Sequence, residues 1–393
     1  MDITIYPKKL CGRVTAPRSK SQAHRLLICA AFADRPTTLI CPETNDDIEA
    51  TVACLRALGS DIQRTPSGYQ IFSITAPRKQ AVFSCRESGS TLRFLLPVVG
   101  ALGIDATFVL EGRLADRPLS PLWKEMERHG CKLEWINKGL LRCSGELRSG
   151  SYRMAGDVSS QFISGLMMAF PLLEGSCTLD ITEPMQSRPY IELTRGVLSL
   201  FGIGPNNSGC YRSPGTVTVE GDWSSAAFFL GANALGSNIQ VDGLDPDSVQ
   251  GDSVICPLLA ALKTHCEIDV SDIPDLFPIL AVVAAWNQGA VFTNIQRLRL
   301  KESDRIAAMS AALKNLGIAT KITDSTFTVL PGTLTGGEVD SYGDHRIAMA
   351  AAIAATAAFG PITVRDARCV KKSYPRFWED YQALGGQYGF DLR

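Results

Sequence analysis

A polar turn followed by a long apolar stretch recurs six times along the chain. Stretches such as RLLICAAFA, LRFLLPVVGAL and LFPILAVVAAW are apolar on nearly every helical face, which predicts helices that are buried all round. The six turns are Ser19-Lys20-Ser21, Glu87-Ser88-Gly89-Ser90, Ser159-Ser160-Gln161, Asp222-Trp223-Ser224-Ser225, Ile273-Pro274-Asp275 and Gly343-Asp344-His345.

Each predicted buried helix is followed by a short strand and by a second, amphipathic helix that ends near a Leu-Gly or similar pair, as at Leu58-Gly59 and Leu316-Gly317. The pitch of about 50 to 70 residues is too long for common solenoid repeats. Six such units predict two α/β domains of three units each. The alternative is the generic βα alternation of any α/β protein, and the matched position of the polar-to-apolar switch favours the repeat.

Composition limits the classes of ligand. The chain has 393 residues, which is longer than most single hydrophobic cores support. Its 39 basic and 40 acidic side chains give a formal charge of −1, so global electrostatics favour neither nucleic acid nor a membrane. Any anion site must therefore come from a local cluster of cations.

The segment MDITIYPKKLCGRV has no apolar core of signal-peptide length. The most apolar run, Ile347 to Phe359, is shorter than the roughly 18 residues that a membrane span needs. The 12 cysteines are scattered without a CxxC pair, which favours free thiols over disulfides or a zinc site. We therefore expect a cytoplasmic protein.

The polar turns are candidate ligand sites because each begins a predicted buried helix. Helix N-termini carry unsatisfied N–H groups and a partial positive charge, which attract anions. The turns of one domain should gather at one end of it. We therefore expect small phosphorylated anions to bind in a cleft between two similar domains.

The first turn supplies cations. Lys20 and Arg25 bracket the start of a buried helix, and the hydroxyl of Ser21 lies between them in the sequence. N-capping with a surface cation explains the same residues equally well. We interpret the neighbouring His24 as a structural residue.

The second and third turns supply small and neutral polar groups. Gly89 permits a ligand to approach backbone N–H groups, and the guanidinium of Arg117 suits a phosphate or carboxylate. A surface ion pair is the alternative for Arg117. The remaining candidates suit a phosphate or a polyol, although a plain capping run would explain them as well; they are Ser159, Ser160, Gln161 and Ser187.

The fifth and sixth turns add carboxylates. Asp275 precedes a very apolar helix, where it is either a helix cap or a general base. Lys301 and Arg305 share a helical face next to Glu302, which suits either a solvated surface or catalysis. Arg346, in the first turn of a buried helix, opposes the helix dipole, and a bound anion would reconcile this.

Taken in order, the motifs SKSxxxR, SGSTLR, SSQF, SRPY, IPD, LKESDR, GDHR and KKSYP resemble those of the EPSP synthase (3-phosphoshikimate 1-carboxyvinyltransferase) family over essentially the whole chain. The resemblance implies an α/β fold of two similar domains, each with three βαβαββ repeats of buried parallel helices and outer sheets, an inside-out α/β barrel. We place domain 1 at residues 14–219 and domain 2 at residues 1–13 plus 220–393, with the crossover near Glu220-Gly221-Asp222.

The resemblance also implies roles for single residues. Shikimate 3-phosphate would be bound by Lys20, Ser21, Arg25, Ser159, Ser160, Gln161, Ser187, Asp275 and Lys301. Phosphoenolpyruvate would be bound by Lys20, Gly89, Arg117, Gln161, Arg305, Arg346 and Lys372. Asp275 would take the proton of the 5-hydroxyl group, and Glu302 or Lys20 would protonate C3 of phosphoenolpyruvate.

The implied activity is transfer of the enolpyruvyl group of phosphoenolpyruvate to the 5-hydroxyl of shikimate 3-phosphate, with release of phosphate, in aromatic amino-acid biosynthesis. It implies no metal or cofactor, a domain closure that excludes water, and inhibition by the phosphoenolpyruvate mimic glyphosate. We expect a monomer with these two small molecules as partners, and neither nucleic acid nor a membrane.

Three positions depart from the common pattern of the family. Glu87 and Arg297 stand where asparagine is usual, and Phe94 stands where proline is usual.

Two alternatives compete with this assignment. UDP-N-acetylglucosamine enolpyruvyl transferases have Lys-Asn in place of Lys20-Ser21 and commonly a loop cysteine, which the stretch Glu111 to Pro118 lacks. A non-catalytic anion-binding repeat protein would not need Asp275 or Glu302.

Overall fold

In the computed structural model, which describes residues 1–391, each of the six apolar stretches forms a helix that is buried on nearly all sides. The helices are α1 Lys20–Ala31, α2 Asp46–Leu58, α3 Gly89–Ala101, α4 Leu122–Arg128, α5 Ser160–Ala169, α6 Arg188–Leu200, α7 Trp223–Ala234, α8 Ile255–Ala261, α9 Phe277–Trp286, α10 Arg305–Asn315, α11 His345–Ala355 and α12 Phe377–Ala383. The odd-numbered helices are the buried ones, so the predicted burial is confirmed.

Short strands alternate with these helices. They are β1 Asp2–Tyr6, β2 Cys11–Thr15, β3 Thr37–Ile40, β4 Asp61–Thr65, β5 Gly68–Phe72, β6 Gln80–Arg86, β7 Asp105–Leu110, β8 Cys131–Asn137, β9 Leu140–Gly145, β10 Gly150–Ala155, β11 Cys177–Thr182, β12 Thr216–Thr218, β13 Asn238–Asp242, β14 Cys266–Asp269, β15 Ala290–Thr293, β16 Thr320–Ile322, β17 Thr326–Val329, β18 Gly337–Asp340, β19 Ile362–Arg365 and β20 Gln387–Asp391.

The chain divides into two compact units. The continuous unit contains Arg18–Glu220, and the split unit contains Met1–Pro17 together with the chain from Gly221 onward. Each unit has its own hydrophobic core, built around α1, α3 and α5 in the continuous unit and around α7, α9 and α11 in the split unit. The divisions lie close to the expected domain boundaries after residues 13 and 219.

Four sheets share one pattern, a parallel pair of strands extended by two antiparallel strands. In the order β6-β7-β9-β8, for example, β6 and β7 are parallel and flank α3, and the hairpin β8–β9 follows α4. The other three orders are β12-β3-β5-β4, β14-β15-β17-β16 and β18-β19-β1-β20. This confirms a repeated α/β architecture with buried helices and outer strands.

Two sheets within residues 1–391 contain only the parallel pair, namely β10–β11 in the continuous unit and β2–β13 in the split unit. After α6 the chain runs through residues 201–215 without a strand, and after α8 it reaches β14 within a short turn. The pair of antiparallel strands that extends the other four sheets is therefore missing from these two sheets. The βαβαββ pattern is complete in four of the six repeats and abbreviated in the other two.

In most of the repeats a glycine ends the second helix, as the sequence predicts. Each adopts a positive φ that favours glycine over other residues. These glycines are Gly59 (122°), Gly130 (110°), Gly202 (80°), Gly317 (84°) and Gly385 (93°). Helix α8 ends at Ala261, close to the expected Lys263-Thr264, but without a glycine.

Within residues 1–391, none of the helices combines the length and the apolar character that a membrane crossing requires.

Helices α3 and α5 pack closely where α5 carries a glycine. A Cβ atom placed on Gly165 would lie 2.3 Å from the carbonyl oxygen of Arg93 in α3. A backbone atom cannot rotate away as a side chain can. Any side chain at position 165 would therefore push the two helices apart.

We predict that Gly165→Ala lowers the free energy of unfolding by about 1–3 kcal/mol, the usual cost of overpacking a core. Urea denaturation followed by circular dichroism measures this change.

Gly196→Ala is the matched control. Gly196 lies on the exposed face of α6, and a Cβ atom there would meet nothing within 4 Å. Alanine should therefore raise the free energy of unfolding by about 0.5–1 kcal/mol through its better helix propensity. Equal effects of the two substitutions would contradict the packing explanation.

Candidate active site

Predicted binding residues of the continuous unit gather at the starts of α3 and α5. Gln161 donates from Nε2 to Ser90 Oγ (2.9 Å) and accepts from Arg93 Nη1 (2.7 Å). A Cβ atom on Gly89 would lie 2.7 Å from Nη1 of Arg117, so that guanidinium group lies against the first residue of α3. The structure thus brings Gly89, Arg117 and Gln161 together and adds Arg93, to which the sequence assigned no role.

This cluster combines positive charges with a helix N-terminus. Gly89 leaves room for Arg117, and Nη1 of Arg93 is also close, 3.0 Å from the same Cβ position. Within residues 1–391, Nε of Arg117 is buried and has no hydrogen-bond partner. Two guanidinium groups beside a helix N-terminus repel one another, and a phosphate or carboxylate would compensate them.

Lys20 is the first residue of α1, and its charge is partly compensated within the unit. Its Nζ atom lies 3.0 Å from Oδ2 of Asp47, in the first turn of α2. Both side chains are mostly buried, and Ser21 beside them is half-buried. An acidic residue in the first turn of a helix is common, so its pairing with Lys20 could not be predicted from the sequence of this turn.

Arg25 is buried, and the unit itself supplies its hydrogen-bond acceptors. They are Thr194 Oγ1 (2.7 Å), Ser164 Oγ (3.3 Å) and the carbonyl oxygens of Ser21 (2.6 Å) and Tyr190 (3.1 Å). These contacts connect α1 with α5 and α6, and burial lowers the pKa of Arg25 to about 10. A contact between Arg25 and a substrate phosphate stays a prediction, and it requires Arg25 to exchange some of these partners.

Phe94, one of the departures from the family pattern, packs against the same arginine. The guanidinium carbon of Arg25 lies 4.8 Å from the centroid of the Phe94 ring, a cation–π arrangement. His24 meets this ring edge-on and shares a hydrogen bond with Thr51 Oγ1 (2.7 Å). Burial, together with Lys20 and Arg25, lowers the pKa of His24 well below its ordinary value, in agreement with a neutral structural histidine.

Three predicted phosphate ligands lie at the starts of α5 and α6, which pack against each other. Ser159 precedes α5 without a side-chain hydrogen bond to its first turn, and Ser160 is buried. The backbone N–H groups at this end of α5 are therefore suited to an anion. Ser187 precedes α6 with a φ of 57°, a left-handed conformation that is uncommon for serine.

In the split unit, one buried guanidinium group joins three carboxylates. Arg305 donates from Nη1 to Asp275 Oδ1 (2.7 Å), from Nη2 to Glu302 Oε2 (2.9 Å) and from Nε to Asp344 Oδ2 (2.9 Å). The side chain of Arg305 is 0% exposed. Burial alone would lower its pKa, but Asp344, Glu302 and Asp275 outweigh that effect and raise the pKa well above its ordinary value.

Asp275 is held by three cations. Besides Arg305, Nη2 of Arg346 lies 2.9 Å from its Oδ2 atom and Nζ of Lys301 lies 3.7 Å from its Oδ1 atom. Burial favours the neutral acid, but Arg346, Lys301 and Arg305 together hold the pKa of Asp275 well below its ordinary value. The group is therefore ionised and firmly positioned.

Lys301 can exchange a proton near neutral pH. Burial lowers the pKa of Lys301 to about 8. The charge of Asp275 acts to raise this pKa, and the charges of Arg305 and Arg297 act to lower it. Arg297 is another departure from the family pattern, and it lies in the one-turn helix Gln296–Leu300. Its charge makes Lys301 more acidic than an asparagine at that position would.

The start of α11 completes the cluster. Asp344 caps the helix by accepting from the backbone N–H of Arg346 (3.0 Å), and it also accepts from Ser303 Oγ (3.0 Å). Lys372 donates to the carbonyl oxygen of Gly343 (2.8 Å) in the same turn. Asp275 and the Asp344 cap thus already offset the unfavourable position of Arg346 at a helix N-terminus, for which the sequence had suggested a bound anion.

Among residues 1–391 there is no group of three or more His, Cys, Asp or Glu side chains that could hold a metal ion.

The chain is similar to one protein family over nearly its whole length. The family model for EPSP synthase (3-phosphoshikimate 1-carboxyvinyltransferase) matches residues 5–265 and 258–381. A 3-phosphoshikimate 1-carboxyvinyltransferase of Clostridium kluyveri is 39% identical over 420 residues, which covers 98% of this chain and 97% of that protein. The same enzyme of Clostridium beijerinckii is 38% identical over 428 residues, which covers 98% of each.

Solved structures share the fold. An EPSP synthase from Acinetobacter baumannii superposes with a TM-score of 0.79 at 24% identity, over 99% of this chain and 100% of that one. The enolpyruvyl transferase NikO from Streptomyces tendae superposes with a TM-score of 0.77 at 17% identity, over 99% and 98% of the two chains. The predicted fold class is therefore confirmed.

We predict that Arg305→Met lowers the free energy of unfolding by about 3–5 kcal/mol, because it leaves buried carboxylates without their shared cation. Urea denaturation at pH 7 measures the loss. Arg305 lowers the pKa of Asp344, so this stabilisation is present above the ordinary aspartate pKa and disappears as the pH falls. The deficit of the variant should therefore shrink below about pH 4.

Arg299→Met is the control for this substitution. Arg299 forms an ion pair with Asp304 at 3.4 Å, but the two side chains are 43% and 36% exposed. Its loss should change the free energy of unfolding by less than about 1 kcal/mol. A similar loss from both substitutions would show that Arg305 is no more important than a surface ion pair.

Proposed function

The chain belongs to the EPSP synthase (3-phosphoshikimate 1-carboxyvinyltransferase) family, and we propose that it transfers the enolpyruvyl group of phosphoenolpyruvate to the 5-hydroxyl group of shikimate 3-phosphate. The products are phosphate and 5-enolpyruvylshikimate 3-phosphate, on the route to aromatic amino acids. In this proposal the continuous and split units are the two domains of the family. The enzyme acts in the cytoplasm as a monomer, with these two substrates as its partners.

The observation that carries the proposal is the position of Asp275 among Arg305, Arg346 and Lys301. Enolpyruvyl transfer needs a base at the attacking hydroxyl group. It also needs cations for the phosphate and carboxylate groups of phosphoenolpyruvate. The split unit supplies both within one cluster.

The proposed ligands are those that the family resemblance implies. The phosphate of shikimate 3-phosphate is bound by Lys20, Ser21, Arg25, Ser159, Ser160 and Ser187, with Asp275 and Lys301 at its ring. Phosphoenolpyruvate is bound by Lys20, Gly89, Arg117, Arg305, Arg346 and Lys372, with Gln161 between the two substrates. The charges and helix N-termini at the starts of α3 and α5 support this assignment.

The cations around Asp275 make it a weak base without substrate, since they hold its pKa well below the ordinary value. Phosphoenolpyruvate changes this balance. When its phosphate and carboxylate groups bind Arg305 and Arg346, those cations stabilise the Asp275 carboxylate less, and its pKa rises. Binding of one substrate thus activates the base for the other.

The reaction then proceeds by addition and elimination. Asp275 takes the proton of the 5-hydroxyl group while the oxygen of that hydroxyl group attacks C2 of phosphoenolpyruvate. Glu302 or Lys20 donates a proton to C3. The tetrahedral adduct loses phosphate, and loss of the C3 proton restores the double bond. Glu302 is suited to exchange this proton because Arg305 holds its Oε2 atom in a fixed position.

We predict phosphate release when the purified protein is mixed with phosphoenolpyruvate and shikimate 3-phosphate, measured with a coupled phosphate assay. Neither substrate alone should release phosphate. Release with UDP-N-acetylglucosamine in place of shikimate 3-phosphate would favour the rival transferase. No release with either acceptor would favour a non-catalytic binding protein.

We predict that Asp275→Asn lowers kcat by about 10²–10⁴-fold, the usual contribution of a general base. Isothermal titration should show that shikimate 3-phosphate still binds. Asp304→Asn is the matched control, because asparagine can also cap α10 and Asp304 is partly exposed. An unchanged kcat in the Asp275 variant would reassign this residue to a structural role.

We predict that Gly89→Ala raises KM for phosphoenolpyruvate by about ten- to hundredfold, because a hydrogen bond to a charged group contributes about 1.5–3 kcal/mol. The added methyl group would displace Arg117, which lies 2.7 Å from the Cβ position. Initial rates at varied phosphoenolpyruvate measure the effect. KM for shikimate 3-phosphate serves as the internal control. A rise in KM for shikimate 3-phosphate alone would contradict the assignment of Gly89 to phosphoenolpyruvate binding.

A further inference from the structure

Asp252 is a buried carboxylate that the proposed mechanism does not use. It lies in the one-turn helix Gly251–Val254 and is 2% exposed. Its Oδ2 atom accepts a hydrogen bond from Ser224 Oγ in α7. Within residues 1–391, its Oδ1 atom is buried without a hydrogen-bond partner.

The residue before this turn fastens it to the start of α7. Gln250 accepts from the backbone N–H of Trp223 (3.2 Å) and donates from Nε2 to the carbonyl oxygen of Gly221 (2.8 Å). Gln250 is itself buried. The position of Asp252 is therefore as well defined as that of the helix it contacts.

Charged residues at or next to the starts of three buried helices act on this carboxylate. Helix α7 packs against α9 and α11, and the one-turn helix packs against α7. The charged groups that act on Asp252 are Asp222 at the start of α7, Asp275 just before α9 and Arg346 at the start of α11. Helix α8, which follows the one-turn helix, carries no ionisable side chain except the exposed Cys256.

These surroundings place the ionisation of Asp252 near neutral pH. Burial and the charge of Asp275 raise its pKa to about 7, and Asp222 adds to this effect. Arg346 and the hydrogen bond from Ser224 act in the opposite direction. The group therefore changes charge in the range in which a biosynthetic enzyme operates.

A purely structural role does not require an ionisable group here. An asparagine could accept the same hydrogen bond from Ser224 without a buried charge, which is costly in a protein interior. What an aspartate adds at this position is its negative charge beside Asp275 and Arg346.

We propose that Asp252 is a positioning residue for proton transfer at Asp275: its ionised carboxylate draws on Arg346 and adds the negative charge that lets Asp275 accept a proton. This inference rests on the proposed function, since it concerns the base of that reaction. Asp252 itself neither donates nor accepts a proton in the reaction. It competes with Asp275 for Arg346, and its charge repels the charge of Asp275.

The test is the dependence of kcat on pH in Asp252→Asn. In the wild-type enzyme kcat should rise as Asp252 ionises near pH 7. The variant should lack this rise, and its kcat at pH 8 should be about tenfold lower, because a nearby like charge shifts a carboxylate pKa by about one or more. KM for both substrates should stay within about threefold, since Asp252 contacts neither substrate in this proposal.

Stability supplies a second readout that a structural role would not produce. The pKa of Asp252 is raised in the folded state, so its ionised form destabilises the fold as the pH rises through about 7. Asp252→Asn should therefore melt at a higher temperature than wild type at pH 8 while turning over more slowly.

Asp380→Asn is the matched control. Asp380 is half-buried, whereas Asp252 is buried, but it too accepts a hydrogen bond from a hydroxyl group, that of Tyr374 (2.8 Å), and has a pKa raised by burial. Its charged neighbours are Arg376 and Glu379, and not Asp275. This substitution should leave the pH profile of kcat unchanged.

Ser224→Ala tests the inference without removing the carboxylate. The hydrogen bond from Ser224 lowers the pKa of Asp252, so its loss should move the rise in kcat to higher pH. Ser224→Ala can also replace Asp252→Asn as the test if the latter variant fails to fold. If kcat rises at the same pH in Ser224→Ala as in the wild type, the inference is overturned.

The outcomes separate the inference from the proposed function. An active wild-type enzyme whose Asp252→Asn variant keeps the same kcat and pH profile overturns the inference alone. A large rise in KM at unchanged kcat also overturns it, because Asp252 would then act in binding. A wild-type protein without turnover overturns the proposed function and the inference with it.

Discussion

A guanidinium group can be buried completely only if its charge is compensated, and the functional end of the split unit is organised around this requirement at Arg305. Its three carboxylate partners come from the segment before α9, from its own segment and from the start of α11. Each partner stands at or next to a helix start, so satisfying one arginine aligns the ends of three helices. The side chains that the proposed chemistry needs are thereby fixed by the demands of folding.

The continuous unit meets the same constraint differently. Arg25 is equally buried, but its acceptors are hydroxyl and carbonyl oxygens, so its positive charge is solvated and not neutralised. Within residues 1–391, neither Arg25 nor Arg117 forms an ion pair with a carboxylate. Arg25 and Arg117 therefore keep positive charge that no carboxylate of this unit neutralises, whereas Arg305 and Arg346 of the split unit are paired with carboxylates. Anion binding suits the first arrangement, and proton transfer suits the second.

The sequence predicted the elements that depend on local pattern. Apolar residues on every face predicted the buried helices, and the polar turns predicted where those helices begin. Contacts between distant segments left no such pattern. The pairing of Arg346 with Asp275 joins residues 71 positions apart, and Arg25 reaches Thr194 across 169 positions. Asp252 carries no such signal either, because a single aspartate in a polar turn is an ordinary turn residue.

The two abbreviated sheets were also missed, because absent strands leave no periodicity to detect. In the continuous unit the turn-rich stretch PNNSGCYRSPGT follows α6 and leads into β12, where the outer strands are absent. The alignment with the Clostridium kluyveri protein spans 420 residues although this chain has 393, so it contains positions that this chain lacks. Both abbreviated sheets keep the parallel pair that flanks a buried helix. What these two sheets lack is the outer pair of antiparallel strands.

The cluster in the split unit also exposes a conflict between stability and reactivity. The cations that make Asp275 stable in the fold also make it a poor base, since each favours its ionised form. In the proposed mechanism an anionic substrate resolves this conflict, because the cations stabilise Asp275 less once they bind the substrate. In that mechanism a folding requirement, the neutralisation of buried arginines, also delays the chemistry until both substrates are present.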